Sequence, residues 1–173
     1  MADLTDYVSY FQFLAEKHKE IKHSGTEKHF FLMDINELLM AANSTARYPA
    51  MVLLKLTGNV IDRREDNELC NINGGFVILD HCKVIDDFAS QLLIFQKTFR
   101  IGMDVLARIR HDQYQEAPII VGLEKEVLPP IFDLDSVRWE MIGPVFENHF
   151  GIIFRFPVGY LLDMKYNVSV WIS

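Results

Sequence analysis

The residues of this chain from which a metal or thiol centre could be built are Cys70, His81, Cys82, His111 and His149. A structural zinc site uses paired ligands at short loop spacing. Here no such pair occurs, and the adjacent His81 and Cys82 would point to opposite sides of a strand. A cysteine nucleophile would need Cys70 or Cys82 beside His111 or His149 with an orienting acid, and no spacing selects that arrangement. Ordinary thiols and surface imidazoles are the expectation. Asp133, Asp135, Glu140 and Glu147 invite comparison with paired catalytic carboxylates or a calcium loop. The calcium pattern requires further oxygen ligands, a glycine at its sixth position and a glutamate at its twelfth, and residues 137–140 depart from it at once. A solvated turn is expected there. The glycines at 58 and 74–75 lack the spacing of a phosphate-binding loop and are not followed directly by a helix. Arg47, Arg63, Arg64, Arg108 and Arg110 stand without a basic background, so their expected roles are ion pairs across an interface or helix capping. No catalytic residue, cofactor or metal is expected, and the chain is read as something other than an enzyme.

The elements that would hold these residues follow from hydrophobic periodicity. Residues 4–21 place Leu4, Tyr7, Tyr10, Phe11, Leu14 and Ile21 mostly three or four apart, the stripe of an amphipathic helix. Asp34 and Glu37 open a second, short helix in the manner of a capping box. Residues 51–57 read as a strand, 58–59 as a turn and 62–73 as a solvated polar loop. Gly74 and Gly75 open a second strand that runs to Val84.

Asp86 and Asp87 then start the longest helix, and Arg108 and Arg110 suit its C-terminal end. Phe88, Leu92, Phe95, Phe99, Met103 and Leu106 form its expected core stripe. Leu93, Ile94, Ile101 and Val105 widen the apolar surface, so a second side of this helix is expected to meet a neighbour. Residues 113–135 form a long connection with three prolines. Its Ile119, Ile120, Val121, Val127 and Leu128 are more apolar than a free loop has reason to be. The expected contact surface is therefore Ile94, Ile101 and Val105 together with Ile119, Ile120, Val121, Val127 and Leu128. Strands are expected over 137–146, 151–158 and 165–172, the last with strict alternation.

The organisation that results is a single α+β domain over 1–173. A helical region, 1–44, is followed by strand, strand and long helix over 45–112, the connection over 113–135, and C-terminal strands over 136–173. The fold class is an antiparallel or mixed sheet of about five strands packed on one long helix, with an N-terminal amphipathic helix.

Composition narrows the partners. Half of the residues are hydrophobic and 13 are Phe, enough for a full core in a chain of 173 residues, with apolar surface to spare. The formal charge of −7 argues against a protein that neutralises many phosphates, so sequence-specific nucleic-acid binding is not expected. Two cysteines and an N-terminus without signal-peptide character point to a reducing compartment. No apolar run reaches the length of a membrane-spanning helix, and no membrane partner is expected.

Several segments carry a family resemblance. Tyr48 and Pro49 precede an apolar strand, and residues 74–79 read Gly-Gly-Phe-Val-Ile-Leu. Asp86 and Asp87 open a helix that ends Arg-Ile-Arg-His-Asp at 108–112, and 151–156 read Gly-Ile-Ile-Phe-Arg-Phe after a Trp-bearing strand. Over 48–112 and 139–156 the chain resembles small proteins encoded among tail and neck genes of phages and phage-like elements of Bacteroidetes, and its order of elements is similar to that of tail-terminator and neck proteins. The resemblance implies a structural subunit of a virion neck or tail, assembled in the host cytoplasm. Its partners would be copies of itself in a ring and neighbouring neck or tail proteins, and the ring would enclose a DNA channel. Two other readings stand beside it: a small-molecule-binding domain or enzyme with a pocket between helix and sheet, and a cytoplasmic adaptor binding peptide by strand addition at 165–172.

Overall fold

A computed structural model of the chain describes residues 4–32, 46–61, 68–84, 87–114, 131–145 and 148–162. Within them the chain is α+β. Two helices lie on a mixed sheet of seven strands, one only two residues long.

Helix α1 spans Leu4–Lys17 and buries Tyr7, Tyr10, Phe11 and Leu14, the stripe expected from their spacing. It stops a turn earlier than the periodicity predicts. The His18 amide still donates to the Leu14 carbonyl, but Lys22 takes a left-handed backbone, and Ile21 enters the core from a turn. Strand β1 (Lys28–Leu32) runs parallel to β2 (Ala46–Leu53), which makes the sheet mixed.

Strands β3 (Thr57–Ile61) and β4 (Glu68–His81) differ from expectation. The turn predicted at 58–59 lies inside β3, and β4 begins at Glu68, ahead of the glycines expected to open it. The reason is pairing. Residues 69–73 are bonded to β3 on one side and to the last described strand on the other, so a segment interrupted by Asn71 and Asn73 is held extended from both edges.

Helix α2 spans Phe88–Gln113. Asp87 caps it, accepting from the backbone amides of Ala89 and Ser90 and from the Ser90 hydroxyl. After the two-residue β5 (Ile131–Phe132) and a 3-10 turn over Leu134–Ser136, β6 (Arg138–Val145) and β7 (His149–Leu162) complete the sheet. The spine is the antiparallel β4–β7 ladder, which runs without a register break from Glu68 opposite Leu162 to His81 opposite His149. On the far edge of β7 lie β5 and β6.

The inner face of the sheet offers Met51, Leu53, Phe76, Ile78, Ile152, Phe154, Phe156 and Val158 to the helices, as the period-two alternation of strands requires. Rings dominate the packing. Phe11 stacks on Phe156, and Phe76 stacks on Phe154 with centroids 5.0 Å apart. On the other face Val52, Val77, Leu79, Val145 and Ile153 form a smaller cluster. The short helix expected after Asp34, the prolines of the long connection and the strand expected over 165–172 lie outside the described residues.

Candidate interaction surface

The two apolar sides of α2 are partly exchanged relative to expectation. Ile101 and Val105, expected to face a neighbour, are 0% and 2% exposed and belong to the main core with Ile109. They are not available as a contact surface. Ile94 is half-buried, and its carbonyl accepts from the hydroxyl of the buried Thr98. The stripe expected to be core is split, with three of its six residues uncovered, while Leu93 on the expected second side is exposed as expected. Phe88 is 76% exposed, Leu92 64% and Met103 45%, while Phe95 and Phe99 are half-buried at its inner margin and Leu106 is buried. Ile119, Ile120, Val121, Val127 and Leu128 lie outside the described residues.

Geometry accounts for the exchange. Helix α2 sits over β4 and β7, so one arc of its circumference meets Phe154 and Ile152. Strand β6 passes beside the helix. Residues Trp139 and Met141, opposite Phe154 and Ile152 in the ladder, therefore share their face of the sheet, with neither described helix above them. Both are about half exposed. Phe99 bridges the two parts, its ring 5.0 Å from that of Trp139 and 6.2 Å from that of Phe154.

Two hollows follow this line. One is walled by Leu92, Phe95, Gln96, Phe99, Trp139, Met141 and Ile152. The other continues from Phe99 and Trp139 past Met103 and Ala107 to Arg110, Tyr114 and Asp135. Together they form an apolar band along most of α2, roughly 39 Å at 1.5 Å per residue. Apart from the Trp139 indole, the first hollow has Gln96 as its only polar side chain, too little to orient a small polar substrate.

The opposite flank of α2 is charged and internally paired. Arg100 bonds Glu20 at 2.7 Å and Asp104 at 3.5 Å, and His18 lies 3.7 Å from Asp104, so the charged side chains that line the cleft between the helices are paired with one another. Deeper in, Tyr10 donates its hydroxyl to Asp112 at 2.9 Å, and the Arg108 Nε donates to the other carboxylate oxygen at 2.7 Å. Burial, followed by the Asp112 charge, pushes the Tyr10 phenol far above its ordinary value. At the N-terminal end the Ser90 hydroxyl and amide hold the Asp87 carboxyl below the usual range.

The residues with possible chemistry are scattered. Cys82 is buried, its thiol directed at the Val84 carbonyl. His81 is exposed, with its ring 4.9 Å from that of the buried His149. His111 lies at the far end of α2 beside Asp112, a helix length from Cys82. Asp133 accepts from the Ser136 hydroxyl and Glu140 pairs with Arg155. Among the described residues no group of three or more His, Cys, Asp or Glu side chains could hold a metal ion, and no helix is long and apolar enough to cross a membrane. Gly74 and Gly75 admit the α1 helix, because the Tyr7 hydroxyl lies where a Cβ at 74 would sit and accepts from the Gly75 amide.

Compared with known protein families the chain matches none, and comparison with curated proteins finds no relative.

Proposed function

We propose that this chain is a structural subunit of a phage or phage-like particle, acting through protein contacts in a neck or tail-terminator ring. The observation that supports a contact protein is the uncovered apolar band from Phe88 along α2 to Tyr114, continued across Trp139 and Met141. Contiguous apolar surface of this extent is a cost to an isolated soluble domain and marks an interaction site. The phage assignment itself rests on the sequence resemblance over 48–112 and 139–156. The net charge of −7 suits a ring through which DNA slides, since phosphates are repelled.

The test has two arms. Flanking genes for portal, tube or sheath proteins are expected, and metabolic neighbours would sink the assignment. Co-expressed with those neck and tail proteins, the wild-type chain should enter particles seen by electron microscopy, and Trp139→Ser should be excluded from them while remaining folded. Normal incorporation of that variant would remove the band from the mechanism.

A further inference from the structure

Six positions along one arc of α2, five of them exposed and Phe99 half-buried, have a symmetry that names an occupant. Phe88, Leu92, Phe99, Met103, Arg110 and Tyr114 are separated by 4, 7, 4, 7 and 4 residues, a spacing that reads the same in both directions along the helix. Two copies of such a stripe laid antiparallel are in register about a two-fold axis. Phe88 then meets the partner's Tyr114, Leu92 meets the aliphatic stem of the partner's Arg110, and Phe99 meets the partner's Met103. We infer that the apolar band is the seat of a second copy of this chain, with the two α2 helices packed antiparallel in an isologous dimer.

Three further observations fit a helix of the same kind. First, Trp139 and Met141, uncovered on β6 beside α2, extend the apolar surface of the stripe across the neighbouring strand. Second, six half- to three-quarter-exposed side chains (Phe88, Leu92, Met103, Tyr114, Trp139, Met141) offer on the order of 700 Å² per protomer, close to the ~800 Å² that each partner contributes to a standard interface. Third, antiparallel packing opposes the helix dipoles and sets the Asp87 cap of one protomer near Arg110 and His111 of the other. On α2 itself the six stripe positions include no carboxylate, and Asp135 lies at the Tyr114 end of the second hollow, near Arg110.

Such a pair presupposes that the band is an assembly surface and goes further by naming what covers it. A two-fold contact closes at two copies, so a ring built from such dimers would use a second, heterologous contact elsewhere.

The test is the solution mass of the full-length protein across concentration, with two variants. Wild type is expected at twice the 20.1 kDa chain mass, and Leu92→Glu, at an exposed position, should weaken association at least tenfold with an unchanged circular dichroism spectrum. In the paired variant Leu92→Cys/Arg110→Cys, oxidation should give a covalent dimer. The two sites are roughly 27 Å apart within one helix, too far for an internal bridge. Leu92→Cys alone should not cross-link. A wild-type monomer at every concentration would overturn the inference, and particle entry that still depends on Trp139 would then leave the assembly reading standing with a different partner. Association that survives Leu92→Glu, or cross-linking through Leu92→Cys alone, would also overturn it.

Discussion

Gly102 of α2 packs directly on the ring of Phe154. A Cβ built at position 102 would stand 2.1 Å from Cε2 and 2.3 Å from Cζ of that ring. The ring has little freedom to withdraw, because Phe76 stacks on it at 5.0 Å and Phe99 lies against it as well. This contact sets how closely α2 approaches β7, and thereby where the uncovered side of the helix lies relative to Trp139. Replacing a mid-helix glycine by alanine ordinarily gains up to ~1 kcal/mol of helix propensity. At this position overpacking outweighs the gain, and Gly102→Ala is expected to destabilise by about 1–3 kcal/mol. Urea denaturation checks the sign, and a stabilised variant would show that the helix can lift off the sheet.

The partial exchange of the two faces of α2 is tested by a pair of truncations. Ile101→Ala should cost about 2–5 kcal/mol, because it leaves a cavity among fully buried neighbours. Phe88→Ala should change the stability of the monomer by no more than ~0.5 kcal/mol, since the side chain is mostly in solvent. Both are measured by denaturant titration at the lowest workable protein concentration, so that association does not contribute. Equal costs would restore Phe88 to the core.

Tyr10→Phe removes a buried hydrogen bond to a carboxylate, and about 1.5–3 kcal/mol should be lost at pH 7. The pH dependence follows from the raised phenol. Its folded value lies above the ordinary 10.0, so its contribution is complete below pH 10 and declines above it, as the unfolded chain alone loses the proton. The stability gap between wild type and Tyr10→Phe should therefore narrow on titration from about pH 9 to 11. A constant gap would refute the buried neutral phenol.

Asp87 tests the start of α2. Asp87→Ala should lower the melting temperature, and Asp87→Asn should lower it less, because asparagine can still accept the Ala89 and Ser90 amides. The wild-type carboxyl is held below its ordinary 3.8, so its contribution is present above that pH and is lost as pH falls through the depressed folded value. In a series of thermal melts from about pH 5 to 2, the advantage of wild type over Asp87→Asn should shrink towards the acid end. An advantage that is the same at every pH would show that the carboxylate charge does not contribute to the cap.

Much of the scaffold is legible in the sequence. The three- and four-residue spacing of Tyr7, Tyr10, Phe11 and Leu14 marks α1, Asp87 marks the start of α2, and the apolar runs at 76–79 and 152–154 mark the central strands. These are local signals, fixed by helix and strand periods and by the chemistry of an N-cap. The β3 strand and the early start of β4 are not legible, because Gly58, Asn59, Asn71 and Asn73 break their apolar pattern and the segments are held extended by the β3–β4 hairpin and by pairing of 68–73 with the distant β7.

The contact surface divides in the same way. That α2 carries more apolar residues than one core face can use is written in its sequence, since they spread around the helix well beyond a single stripe. Which of the two sides is buried is decided only by the tertiary structure. Phe88, Leu92 and Met103 are hydrophobic in the same way as Ile101 and Val105, and periodicity measures only that an apolar arc exists. The position of β7 under Gly102, with β6 displaced to the side, turns Ile101 and Val105 inward and leaves Phe88, Leu92 and Met103 over an open shelf.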